Sequence, residues 1–137
     1  PAPIAITQAL HTYLPTSDIT KTRVEGLEGT QYIDTLENWN TYTQQGPVIF
    51  EGETDRIYES GEDLTVVTPR GHRRLNASGS DSTVVWNPGP GKARTLSDFR
   101  DDAWRTMLCV ETANAANDYQ VLNEGQSKTL ALMLRRA

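Results

Sequence analysis

A chain of 137 residues has the length of one domain and enough of it to bury a real core. Its 13 Lys+Arg against 18 Asp+Glu leave a formal net charge of −5, and no basic run exceeds Arg73-Arg74 or Arg135-Arg136. That argues against a general nucleic-acid binder, because neutralising phosphates requires a basic footprint. A single cysteine, Cys109, excludes an internal disulfide and fits a reducing compartment. No signal peptide is visible, and no apolar run nears the roughly 18 residues of a membrane span. The expectation is a soluble, cytoplasmic chain without membrane partners. Only 36% of residues are hydrophobic, which predicts a large polar surface or an incomplete domain. The opening Pro1-Ala2-Pro3 runs straight into strand-like sequence with no initiator methionine, as in a piece of a longer polypeptide or, alternatively, a complete domain processed or trimmed at its start.

Strand signals then recur along the chain, and no 3.6-residue apolar stripe lasts beyond about three turns. Ile4 to Leu14 is a first run between Pro3 and Pro15. Arg23-Val24-Glu25 ends at Gly26, and Pro47 to Phe50 ends before Gly52. Thr54 to Tyr58, Leu64 to Thr68, Arg73 to Ala77 and Thr83 to Trp86 follow, the last running into the loop Asn87-Pro88-Gly89-Pro90-Gly91. Met107 to Glu111 is apolar and ends in a carboxylate; Tyr119 to Leu122 and Thr129 to Leu134 close the series. Glu59-Ser60-Gly61-Glu62 and Asn123-Glu124-Gly125 read as hairpin connections. Leu96 to Trp104 could hold one helical turn with Ser97 as its N-cap. Many short β runs separated by turn residues predict an all-β, antiparallel sandwich.

Three residues carry candidate chemistry. On Ile4–Leu14, period-two alternation puts Ala5, Thr7, Ala9, His11 and Tyr13 on one face and Ile4, Ile6, Leu10 and Leu14 on the other. The second set reads as core. The first is a face of small residues from which His11 could point into a cleft, although a histidine held structurally by hydrogen bonds fits the same pattern. Glu111 ends a buried-looking strand; partial desolvation would raise its pKa and make it a better proton acceptor near neutral pH. A glutamate reaching solvent at a strand end is the alternative. Asp55, beside Arg56 in a strand-like run, could hold sugar hydroxyls through two acceptor oxygens or form a surface ion pair. His72 sits in a polar turn among arginines and reads as exposed. Two distant histidines, one cysteine and no His-x-x-x-His or Cys-x-x-Cys spacing argue against a zinc site. No nucleotide-binding glycine loop is present, and the prolines of Gly89-Pro90-Gly91-Lys92 spoil its likeness to one.

QALHTYLPTSDITKTRVEGLEGTQYID (Gln8 to Asp34), TDRIY, VVWNPGPGKARTLSDFRDD and MLCVETAN, in that order, resemble the C-terminal half of the hexose-6-phosphate mutarotases. These are the glucose-6-phosphate 1-epimerase branch of the aldose 1-epimerase (galactose mutarotase-like) superfamily. The resemblance implies part of a β-supersandwich, with residues 1–137 the C-terminal portion of the domain. It implies interconversion of the α and β anomers of a hexose 6-phosphate by acid/base ring opening without metal or organic cofactor. By the same resemblance His11 of ALHTY is the general acid, Glu111 of LCVE the general base and Asp55 of DRIY a substrate-binding residue. Family members run roughly twice this length, and the arginines thought to grip the phosphate lie in their N-terminal half. Where many carry a tryptophan after Asn-Pro, this chain has Gly89. Two other readings stand beside this one. The first is a non-catalytic carbohydrate-binding sandwich using Trp86, Trp104 and Tyr13 as stacking platforms. The second is an inactive fragment held by a complementing N-terminal half or by self-association.

Overall fold

The computed structural model describes all 137 residues. Its strands are β1 (Ile4–Ile6), β2 (Gln8–Leu10), β3 (Tyr13–Pro15), β4 (Arg23–Glu25), β5 (Gln31–Asp34), β6 (Asn40–Thr43) and β7 (Val48–Ile49). They continue as β8 (Thr54–Tyr58), β9 (Leu64–Thr68), β10 (Gly71–Ser78), β11 (Ser82–Asn87), β12 (Met107–Asn114), β13 (Gln120–Leu122) and β14 (Ala131–Arg136). A seven-stranded sheet runs β2-β12-β11-β8-β5-β6, with β3 also on β12. A five-stranded sheet runs β14-β10-β9-β4-β7, and β1 pairs with β13 in a separate ribbon. Every pairing is antiparallel.

The two larger sheets form the sandwich. Alternation sends Leu14, Tyr58, Val85, Leu108 and Val110 from the seven-stranded sheet into one apolar cluster with Val24, Val48, Leu64, Val66 and Leu75 from the other. Each such side chain, fully buried, contributes about 1.5–3 kcal/mol. The expected all-β sandwich is therefore present. No helix is long and apolar enough to cross a membrane.

Several local expectations are corrected. Ile4–Leu14 is three short strands on two different partners, and of its supposed core face only Leu14 is buried; Ile4 and Leu10 are exposed. β5 and β6 escaped the sequence reading because QYID and NTYT carry no apolar alternation, and every residue of β6 is exposed. Neither expected hairpin forms. Glu59–Asp63 carries the chain from the seven-stranded to the five-stranded sheet, and Asn123–Gly125 leads from the ribbon to β14. Gly61 permits that first crossing, since a Cβ there would lie 1.8 Å from the Ser80 carbonyl oxygen.

The segment Leu96 to Trp104 forms turns rather than a Ser97-capped helix, with a 3₁₀ turn at Ala103–Thr106. The short helix α1 (Gly89–Ala93) forms instead in the loop after β11. Asn87, 1% exposed, holds these two segments together. Its side-chain amide donates to the Trp104 and Met107 carbonyls at 2.8 and 2.9 Å, and its Oδ1 accepts from the Gly89 N–H at 2.8 Å. Gly89, at φ +61, packs so closely that a Cβ would meet the Glu53 nitrogen at 2.6 Å, so no larger residue fits this turn.

Candidate active site

β12 is buried at all eight positions. Its even-numbered Leu108 and Val110 face the core, so Cys109 and Glu111 face the outer side of the seven-stranded sheet. The neighbouring edge brings His11 to the same place. Leu10 lies opposite Thr112 and Tyr13 opposite Cys109, in one unbroken register, so His11 falls opposite Glu111. Pairing is interrupted there by a tight turn: the Thr12 N–H donates to the Leu10 carbonyl at 2.8 Å, and the Thr12 carbonyl accepts from the Val110 N–H. A three-residue turn centred on His11 frees its side chain from the pleat. His11 Nε2 lies 3.2 Å from Glu111 Oε1, with the imidazole side chain 51% exposed and the glutamate side chain 7% exposed.

Aromatic rings frame the pair. Tyr13 stacks on His11 with ring centroids 5.0 Å apart, Trp86 meets His11 edge-on at 5.9 Å, and Phe99 meets Trp86 at 6.5 Å. Trp86 stands opposite Cys109 on one side and Asp55 on the other, which puts Asp55 on the same face. Trp104 does not join this group; it packs against the core with Arg105 over its ring. None of the main cavities, the largest about 450 Å³ and lined by residues including Gln44, Glu51 and Arg56, is bordered by His11, Glu111 or Asp55. The pair lies on an open sheet face.

The electrostatics follow from burial. Desolvation pushes the Glu111 carboxyl above its ordinary value; His11 opposes that shift and the charge of Asp55 adds to it. Asp55 is itself raised, first by burial, with the neighbouring Thr35 hydroxyl and Lys92 of α1 pulling the other way and Asp34 adding to the rise. Burial, with a smaller push from Glu111, raises the Cys109 thiol to about 12, so it stays protonated beside the glutamate. The arrangement is a half-exposed imidazole against a buried carboxylate, able to pass protons to and from a molecule laid on the sheet.

The comparisons with known proteins agree with this architecture. The aldose 1-epimerase family matches residues 2–135. The chain belongs to the aldose 1-epimerase family. Among curated members, a Cenchrus ciliaris protein provisionally named glucose-6-phosphate 1-epimerase is 37% identical over 115 residues, 81% of this chain and 35% of that protein. An Escherichia coli (strain K12) protein given the same provisional name is 37% identical over 123 residues, 86% of this chain and 41% of its own length. The crystal structure of a Salmonella typhimurium protein, provisionally a mutarotase, superposes with a TM-score of 0.90 at 29% identity. It covers 98% of this chain and 46% of that one. This member of the aldose 1-epimerase family thus spans less than half the length of the relatives it matches.

The structure brings all three residues singled out in the sequence to one face, His11 and Glu111 in contact and Asp55 near enough for its charge to act on Glu111. Sequence reading missed two neighbours. Lys92 looked like part of a spoiled phosphate loop, and its only signal was proximity to the Asn-Pro turn. Cys109 was visible beside Glu111 but counted only as a lone thiol. The spacing rules that argued against zinc look for local chelates. Here a ring nitrogen of His11, Cys109 Sγ and a Glu111 oxygen lie within 4.8 Å of one another, brought together from the His11 turn and β12.

Proposed function

We propose that this chain is the C-terminal portion of an aldose 1-epimerase that interconverts the α and β anomers of a hexose 6-phosphate. The observation that carries the chemistry is the His11–Glu111 contact at 3.2 Å, with the carboxylate buried and its pKa raised. A pyranose laid on the face beside Trp86 and Tyr13 would present its C1 hydroxyl to Glu111 and its ring oxygen to His11. Glu111 removes the C1 hydroxyl proton, the bond from C1 to the ring oxygen breaks, and that oxygen takes a proton from the imidazolium of His11. The open-chain aldehyde rotates about C1–C2 and closes from the other side, returning both protons. Each proton starts and ends on His11, Glu111 or the sugar, so the cycle is balanced without a cofactor. Asp55, across Trp86, is placed to accept hydrogen bonds from ring hydroxyls. The hexose 6-phosphate class is supported by the names of the curated relatives, and the portion of the domain by the coverage of their length.

Exchange NMR between the anomers of glucose 6-phosphate and of glucose tests this reading. It is run on the 137-residue chain and on a version extended to the length of its relatives. Catalysed exchange that favours the phosphorylated sugar and disappears in Glu111→Gln supports it. Sugar binding with no exchange in either version would leave a non-catalytic carbohydrate-binding protein, with Trp86 and Tyr13 as its platform.

A further inference from the structure

Cys109 is a thiol on the site face that ring opening does not use. It is fully buried, and its sulfur forms a compact group with the two proton-transfer side chains. We propose that His11, Cys109 and Glu111 form a binding site for a thiophilic divalent cation of the zinc type, and that the bound ion blocks anomer exchange. The inhibitory half rests on the function proposed above; the binding half stands on geometry alone.

The donor set and its spacing carry the proposal. Zinc bonds of about 2.0–2.2 Å to imidazole nitrogen and carboxylate oxygen, arranged tetrahedrally, separate those two atoms by about 3.3 Å. His11 Nε2 and Glu111 Oε1 are already 3.2 Å apart. With a zinc–sulfur bond of about 2.3 Å, the thiolate sulfur should stand about 3.6 Å from each of the others. A ring nitrogen of His11, the Cys109 sulfur and a Glu111 oxygen lie within 4.8 Å of one another, so no pair involving sulfur has to close by more than roughly 1.2 Å. The half-exposed His11 side chain can adjust its own distances to the other two. Cys109 and Glu111 are fixed one pleat apart on a fully buried strand, which leaves the histidine as the adjustable ligand and the solvent side as the fourth position.

Sulfur, nitrogen and a single carboxylate suit zinc, cobalt or cadmium; magnesium and calcium demand oxygen ligands. On binding, the Cys109 S–H bond breaks, its proton leaves to solvent, and the sulfur electron pair forms the metal bond. One thiolate and one carboxylate then neutralise the dication, so the occupied site carries no net charge. It also takes up the Nε2 lone pair and the Glu111 oxygen, which are the acid and the base of the proposed reaction.

Cobalt(II) titration of the metal-free chain tests the site without any activity. The expected result is one equivalent of cobalt with a thiolate-to-metal charge-transfer band and four-coordinate visible bands, both erased by added zinc. Cys109→Ser should lose the charge-transfer band, and both it and His11→Ala, a change at an exposed side chain, should weaken zinc binding at least tenfold. No charge-transfer band at saturating cobalt, or zinc binding unchanged in both variants, overturns the proposal. For the inhibitory half, zinc should stop wild-type anomer exchange over the concentration range in which it displaces cobalt. Cys109→Ser, referred to its own metal-free rate, should need at least tenfold more zinc. Exchange that persists in zinc-saturated protein overturns inhibition. Metal binding by a protein that shows no exchange when metal-free would uphold the site and count against the catalytic reading alone.

Discussion

β12 has two faces, equally buried and opposite in character. Leu108 and Val110 enter the core, while one residue along in each case Cys109 and Glu111 are just as hidden on the outer side. The first face stabilises the fold by removing apolar surface from water. The second places a carboxylate where desolvation works against its charge, and stability is exchanged for a shifted pKa. The same strand thus serves packing and chemistry, and burial alone does not tell the two apart.

The largest expected effect breaks the second face and spares the first. Glu111→Gln should lower catalysed anomer exchange by about 10²–10⁴-fold, the usual contribution of a positioned acid or base, with the fold intact by circular dichroism. Leu108→Ala does the reverse. It should cost about 2–5 kcal/mol in denaturant unfolding while the surviving folded fraction keeps its specific activity. Equal loss of activity per folded molecule in the two variants would erase the distinction between the faces.

A pH series sharpens it further. Because the folded-state pKa of Glu111 lies above its ordinary 4.5, the folded protein holds this proton more tightly than the unfolded chain. Its contribution to stability is therefore full below about pH 4.5 and is lost as pH rises through the raised folded value. In Glu111→Gln that particular decline should vanish from unfolding measurements across the window. The acid limb of the pH–rate profile marks the same titration. Asp55→Asn removes a charge that raises Glu111, so it should move that limb to lower pH; a limb that stays put or moves up would disconnect Asp55 from the pair. Last, His11→Gln takes away the partner of a buried carboxylate and should cost no more than about 1–3 kcal/mol in unfolding, even as exchange is lost.

Much of the fold was legible because apolar alternation is local. Thr54–Tyr58 and Leu64–Thr68 were read to the residue, and Met107–Glu111 was recognised as a buried strand, extended by three residues in the structure. β5 and β6 were not, since QYID puts its two apolar residues side by side and NTYT, the edge strand, is polar and exposed throughout, so neither alternates. The two misjudged hairpins show another limit. A Gly-containing turn looks the same whether the chain doubles back or crosses to the facing sheet, and only the partners of β8, β9, β13 and β14 decide between them. The separate candidacies of His11 and Glu111 rested on residue type and strand position, and their pairing on motif resemblance.

What the sequence by itself determined was composition, alternation and motif: an all-β sandwich, a histidine, a carboxylate and an aspartate of the aldose 1-epimerase pattern. What the tertiary structure decided was register. Leu10 against Thr112 and Tyr13 against Cys109 bring a residue near the start of the chain to within 3.2 Å of one near its end. The interruption at Thr12 turns the imidazole over the glutamate, and the same register carries Cys109 into reach. Such contacts depend on backbone hydrogen bonds between distant strands. Those bonds leave no local trace in residue spacing, because the partner's identity is settled only when the sheet closes.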